Sequence, residues 1–189
     1  MFGRALERRR FAMLRHLGVS RRALLIGEGD GRFLQLYREM FPTADVDVIE
    51  QSRTMIRLAE QRLHANAGTG IVRFLRQSVA EGPYDTVATN FVLDVMTCDQ
   101  VRELIDGMRD KARGARWVVS EFRIVESAGL RTASAAMIRI MYWFFAVTAG
   151  VRARAVPDYA AEFRSAGFKL IRSETEWRGF LVSELWQVP

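Results

Sequence analysis

The chain has 189 residues with one cysteine, Cys98, and two histidines far apart, His16 and His64, which excludes an internal disulfide and any cysteine-based zinc cluster and leaves no metal site expected. Hydrophobic residues make up 49% and charged residues 26%, which excludes a disordered chain and suits one domain, 1–189, with a sizeable core. The formal net charge of +6 is carried by arginine, with a run at Arg8, Arg9 and Arg10 and a pair at Arg21 and Arg22; no nucleic-acid motif accompanies it, so it reads as solvated faces.

Residues 1–17 read as a short amphipathic cap helix, with Phe2, Leu6, Met13, Leu14 and Leu17 on its apolar side and Gly18 as its stop. Arg4, Glu7 and Arg8 interrupt it too early for a secretory leader, and no run of about 18 apolar residues suggests a membrane span, so the cytoplasm is the expected compartment. Ala23-Leu24-Leu25-Ile26 reads as a buried strand closed by Gly27. Phe33, Leu34, Leu36, Tyr37 and Met40 recur at helical spacing and stop before Pro42. Val46-Asp47-Val48-Ile49 is a second strand, and Ser52 caps a helix through Met55, Ile56, Leu58, Ala59 and Leu63. Ile71–Leu75, Thr86–Thr89 and Trp117–Ser120 are further strands, with a helix at 98–112 before the last. Strand and helix alternate over 23–122, which predicts a mostly parallel sheet with right-handed crossovers. A helical insert or lid is expected over 123–157, with an unusually apolar stretch at 131–149. A helix at 158–166 and strands at Phe168–Ser173 and Gly179–Gln187 close the chain.

The sharpest motif is Gly27-Glu28-Gly29-Asp30-Gly31, between a strand and a helix. Glycines there permit positive φ and close approach of backbone to a ligand. Glu50 ends the next strand, where a carboxylate can accept from ribose hydroxyls. A nicotinamide dinucleotide is disfavoured: its fingerprint wants a glycine where Arg32 stands, and Glu28 and Asp30 would repel a pyrophosphate. A sulfonium with an ammonium tolerates acidic neighbours.

Residues 23–122 resemble the class I S-adenosylmethionine-dependent methyltransferases. ALLIGEGDG resembles their glycine-rich first motif and VDVIEQSRTMIRLAEQR their second; YDTVATNFVLDVM and RGARWVVSEF resemble their fourth and fifth strands. DYAAEFRSAGFKLI and RGFLVSELWQ resemble the last helix and strand pair of the small-molecule members, nearest to the ubiquinone and menaquinone type. The resemblance implies a doubly wound, mostly parallel seven-stranded Rossmann-like α/β sheet with a C-terminal antiparallel pair, and S-adenosylmethionine as cofactor. Gly27, Gly29 and Gly31 would pass along its methionine and ribose portions, and Glu50 would bind the ribose. Gln51 would lie near the adenine face, Ser78 and Val79 near its edge, and Asn90 and Phe91 beside the methionine. Leu25 stands where the family usually has an acidic residue, and Glu28 is the candidate substitute.

Methyl transfer from a sulfonium needs mainly positioning and desolvation, with a base only if the acceptor must lose a proton. Asp94, Glu121 and His16 are the candidate bases; a helix-capping Asp94, an arginine-paired Glu121 and a packing His16 are the bland alternatives. In the insert, Met141, Trp143, Phe144 and Phe145 are candidates to wall an apolar substrate pocket. Burial in the core, peripheral membrane contact and a homodimer interface compete with that reading. The expected function is methyl transfer to a small, partly apolar acceptor at oxygen, carbon or nitrogen. The alternative is a non-catalytic binding module or partner subunit with a degenerated site. No Asn-Pro-Pro-Tyr-like tetrapeptide follows the fourth strand, so nucleic acid is not the expected substrate.

Overall fold

A computed structural model describes residues 8–63, 68–76, 81–123 and 157–189. The strands are β1 (Arg22–Ile26), β2 (Asp45–Ile49), β3 (Val72–Leu75), β4 (Thr86–Asn90), β5 (Arg116–Phe122), β6 (Lys169–Glu176) and β7 (Leu181–Gln187). They form one sheet in the order β3-β2-β1-β4-β5-β7-β6. The first five run parallel, and β7 enters antiparallel between β5 and β6.

The helices are α1 (Arg32–Met40), α2 (Arg53–Leu63), α3 (Cys98–Met108) and α4 (Tyr159–Ser165). β1 is apolar at successive positions because both its faces are covered. Leu24 and Ile26 join a core with Val101 and Ile105 of α3, Phe163 of α4, Trp117 and Trp186. Ala23 and Leu25 join a second core with Phe33, Leu34 and Tyr37 of α1 and with Met13, Leu14 and Leu17 of the N-terminal segment. Alternation along the strand therefore sorts neighbours into two layers, as a doubly wound sheet requires.

Several element ends differ from expectation. Within the described part of the N-terminal segment the predicted single helix is broken: residues 8–11 are helical, a turn follows, and Leu14–His16 is a separate short 3-10 turn. The helix expected at 98–112 is α-helical only to Met108, with turns beyond. It is capped by Thr97, whose hydroxyl accepts from the Gln100 N–H while the Gln100 side chain accepts from the Thr97 N–H. Asp94 is therefore not its cap. β5 runs two residues past Ser120, because β7 pairs with it through Phe122↔Leu181. The same hairpin carries β6 three residues past Ser173, while a 3-10 turn at Trp177–Gly179 delays β7. The apolar stretch at 131–149, with Met141, Trp143, Phe144 and Phe145, and the pair Ser78 and Val79 lie outside the described residues.

A buried carboxylate on β7 organises the right-hand side of the sheet. Glu184 accepts from Arg123 Nη2 at 2.6 Å, Trp186 Nε1 at 3.0 Å, Tyr159 Oη at 3.2 Å and Ser173 Oγ at 3.4 Å. Four donors satisfy a charge that burial alone would make costly. Arg123 also donates its N–H to the Phe180 carbonyl at 2.8 Å.

Candidate functional site

The C-terminal ends of the parallel strands are aligned by backbone bonds between neighbours. The Gly27 N–H donates to Ile49 O at 2.8 Å, and the Phe91 N–H donates to Ser120 O at 2.7 Å. The glycine loop, the turn at Glu50 and the turn at Phe91 therefore stand side by side, at the edge where open α/β sheets bind ligands.

The three loop glycines have different reasons to be glycine, although all have positive φ. A Cβ on Gly27 would lie 2.1 Å from Val92 Cγ2, and one on Gly31 would lie 2.6 Å from the Ala59 backbone of α2. These two serve close packing. A Cβ on Gly29 would meet nothing within 4 Å, so Gly29 faces open space. Glu50 reaches back to it: one carboxylate oxygen accepts from the Gly29 N–H at 3.0 Å, the other from the Ser52 N–H at 2.8 Å. Gln51 beside it is exposed.

The two acids of the loop do not face outward as expected. Glu28 is buried and its Oε1 accepts from the Leu34 N–H of α1 at 2.9 Å. Burial pushes its carboxyl up to about 7, against the pull of the Leu34 N–H and the Arg10 charge. Asp30 is bound by Arg32 Nε and Arg62 Nη2, each at 2.9 Å. Burial pushes its carboxyl up, but these arginines outweigh it and hold it below the usual range. The loop's acidity is thus consumed internally, and the repulsion argument against a pyrophosphate loses its force.

On the other side, Asn90 is buried, and its Oδ1 is buried without a hydrogen-bond partner among the described residues. Phe91 follows with φ of 58°, a left-handed conformation that costs a bulky residue on the order of 1 kcal/mol or more. Its ring packs on Phe122 at 5.0 Å, and the Arg10 guanidinium lies 5.7 Å from its centroid.

Of the candidate bases, Glu121 and Asp94 come together and His16 stays apart. Glu121 Oε1 accepts from the Val92 and Leu93 N–H groups at 2.9 and 2.7 Å rather than pairing with an arginine. Asp94 and Glu121 are close enough for each carboxyl to act on the other's titration. Burial raises Asp94 to about 6; burial and the neighbouring Asp94 raise Glu121 well above its ordinary range. His16 lies 3.6 Å from Glu174 of β6, at the far edge of the sheet. Sequence reasoning missed Arg10 and Val92. An arginine inside an arginine run carries no local signal, and Val92 is found only through its contact with Gly27.

No family model and no curated protein matches the sequence. Solved structures do share its architecture. The mitomycin 7-O-methyltransferase MmcR matches with a TM-score of 0.73 at 17% identity, over 100% of this chain and 55% of its own. The fold is that of the class I methyltransferases. The N-methyltransferase NodS from Bradyrhizobium japonicum WM9 matches with a TM-score of 0.69 at 15% identity, over 100% of this chain and 99% of its own. The magnesium protoporphyrin IX methyltransferase of Synechocystis PCC 6803, solved with bound SAH, matches at 0.67 and 18% identity, over 99% of this chain and 83% of its own. This chain thus spans about 55% of the first of these proteins and nearly all of the second. None of the three is a ubiquinone or menaquinone enzyme. Among the described residues, no helix is long and apolar enough to cross a membrane.

Proposed function

We propose that this chain binds S-adenosylmethionine and transfers its methyl group to a small, partly apolar acceptor. The observation that carries the reading is the Gly29 turn, where an added Cβ would meet nothing within 4 Å and whose N–H is held by the Glu50 carboxylate. Glu50 stands over one side of it and the buried, unsatisfied Asn90 Oδ1 lies at the neighbouring strand end. A buried acceptor without a donor calls for one from a ligand, and an ammonium or amide supplies it. Glu50 has lone pairs left beyond its two backbone bonds and can accept from ribose hydroxyls. Gln51 would border the adenine, and Ser78 and Val79 are proposed at its edge. Gly27, Gly31 and Glu28 would shape the loop from within.

When bound, S-adenosylmethionine supplies a methyl group already activated on a sulfonium. The chain's part is then to position the acceptor and exclude water. We assign Asp94 and Glu121 to holding the Phe91–Val95 turn rather than to proton abstraction, since both carboxyls are sealed from solvent. The structural neighbours named for mitomycin and magnesium protoporphyrin act on small molecules, which favours the same substrate class here. Met141, Trp143, Phe144 and Phe145 are proposed to line the acceptor pocket.

The test is thermal stabilisation. S-adenosylmethionine or S-adenosylhomocysteine at a hundredfold excess over Kd stabilises by about 2.7 kcal/mol, or roughly 5–10 °C for a chain of this size. NAD gives no shift. Stabilisation by NAD alone would overturn the reading.

A further inference from the structure

The run Arg8-Arg9-Arg10, which composition assigns to solvent, divides in the fold. Arg10 lies against the Phe91 ring, while Arg8 and Arg9 turn toward β6, the far edge of the sheet. The backbone that carries them is anchored: the Arg9 carbonyl accepts from Ser120 Oγ of β5 and Ser183 Oγ of β7. Because the segment turns before its short 3-10 stretch, Arg15 and His16 arrive at the same acid that Arg9 reaches.

Four guanidiniums thereby meet two carboxylates. Glu174 is approached by Arg15 and Arg172 at 3.0 Å each and by Arg9 at 3.6 Å. His16 Nε2, which accepts from Arg15 Nε at 3.0 Å, lies 3.6 Å from the same carboxylate. Glu176 is approached by Arg8 and, at 3.2 Å, by Arg9. Within these pairs two positive charges are left over. A guanidinium carries five donors, so two carboxylates cannot satisfy four of them. Arg9 shows the shortfall: its Nε is buried and makes no hydrogen bond among the described residues, although a Glu176 oxygen stands close by.

Beside this cluster lies a cavity of about 330 Å³, lined by Arg8, Arg9, Phe11, Ala12, Arg15 and Glu174. The Phe11 wall is fixed by stacking on Phe33, with ring centroids 6.4 Å apart. The Arg8 and Arg15 side chains are 61% and 64% exposed. Exposed ion pairs hold long side chains weakly, so both can re-aim into the cavity while the backbone stays in place.

We propose that this cavity binds the phosphate group of a small, soluble phosphate monoester. A dianion matches the two surplus charges, and its three free oxygens match forked guanidinium donors. Phe11 and Ala12 supply an apolar wall for the organic part, which the volume can hold beside the phosphate. Glu174 is the carboxylate on the lining; it competes with the ligand for the arginines and limits the affinity. β4, β5 and β7 separate β6 from β1 and its glycine loop, so the site is distinct from the one above and does not rest on the methyltransferase reading.

The experiment is calorimetric titration of the whole chain at about pH 7.5, where a monoester is a dianion, with phenyl phosphate and with inorganic phosphate at matched ionic strength. Phenyl phosphate should bind more tightly than inorganic phosphate. Arg15→Gln, at an exposed side chain, should weaken it about tenfold, the loss of one charged hydrogen bond. Glu174→Gln should tighten it, because the competing acceptor charge is gone. Absence of phenyl phosphate binding to the wild type overturns the inference. So does binding that Arg15→Gln leaves unchanged, which marks a diffuse attraction of anions, or equal affinity for the two probes, which removes the apolar wall. Sedimentation of the chain with phosphatidic acid vesicles, without binding of phenyl phosphate, would give the cluster to a lipid surface and overturn the soluble ligand.

Discussion

Replacing Glu28 with glutamine separates the charge of this side chain from its hydrogen bond. The carboxyl rises from an ordinary 4.5 to about 7 on folding, because burial penalises the anion more than the Leu34 N–H and Arg10 favour it. Between these values the folded chain holds a proton that the unfolded chain has released. The contribution to stability is therefore whole below about pH 4.5, declines as the pH rises toward 7, and is gone above it, a loss of about 3 kcal/mol. Glutamine still offers an oxygen to the Leu34 N–H and does not titrate. Wild type and Glu28→Gln should unfold alike near pH 4.5. By pH 8 the variant should be more stable by about 3 kcal/mol, roughly 6–12 °C in Tm. Calorimetric melting from pH 4.5 to 9 at constant ionic strength measures this, and the difference between the two proteins removes Asp94, which titrates in both. Parallel curves would refute the reasoning. A less stable variant at pH 8 would show that the helix N-terminus repays the buried anion in full.

Gly27→Ala places a methyl group on Val92 and should cost about 2 kcal/mol or more, whereas Gly29→Ala faces open space, should cost only about 1 kcal/mol of φ strain, and should abolish S-adenosylhomocysteine binding. Urea unfolding and calorimetry of both variants distinguish a packing glycine from a ligand-facing one, and equal effects on both readouts would erase that distinction. Glu50→Ala removes the acceptor of the Gly29 N–H and should lower cofactor affinity about tenfold; unchanged affinity would take Glu50 out of the site. Glu121→Ala strands the half-buried Val92 N–H and the buried Leu93 N–H and should cost about 3 kcal/mol, while Glu121→Gln, which keeps the acceptor, should cost much less. If denaturant midpoints fall equally in both, the acid does not hold the turn.

Element order in the first 122 residues was legible because β1 is apolar from Ala23 to Ile26 and each later strand is separated from it by a helix-period stretch. Glu50 was legible for the same reason: a parallel neighbour of β1 must end beside the glycine loop, whatever its side chain. The fate of Glu28 was not. A carboxylate among glycines reads as facing solvent or ligand, and its inward turn depends on where α1 begins. Asp94 and Glu121 are 27 positions apart, and only the β4·β5 pairing brings them together. His16 has an equally plain sequence context, yet the path of the N-terminal segment carries it to β6. The ends of β6 and β7 were set by one another, through a hairpin register that no local pattern encodes.

The described chain leaves the sheet at Arg123 and resumes at Pro157, just before α4, and the side chains of Arg123 and Tyr159 are both bonded to the one Glu184 carboxylate. The sheet therefore meets the intervening stretch at a fixed gate whose two posts are tied to each other. The entropy of closing a chain excursion between fixed ends grows only logarithmically, about 0.6 kcal/mol per doubling of length. The closure term between these fixed ends is therefore nearly independent of the length of chain between them, provided Glu184 and its donors persist. Replacing Glu184 would release both posts at once, so the ends of that stretch are held by one side chain rather than by its own length.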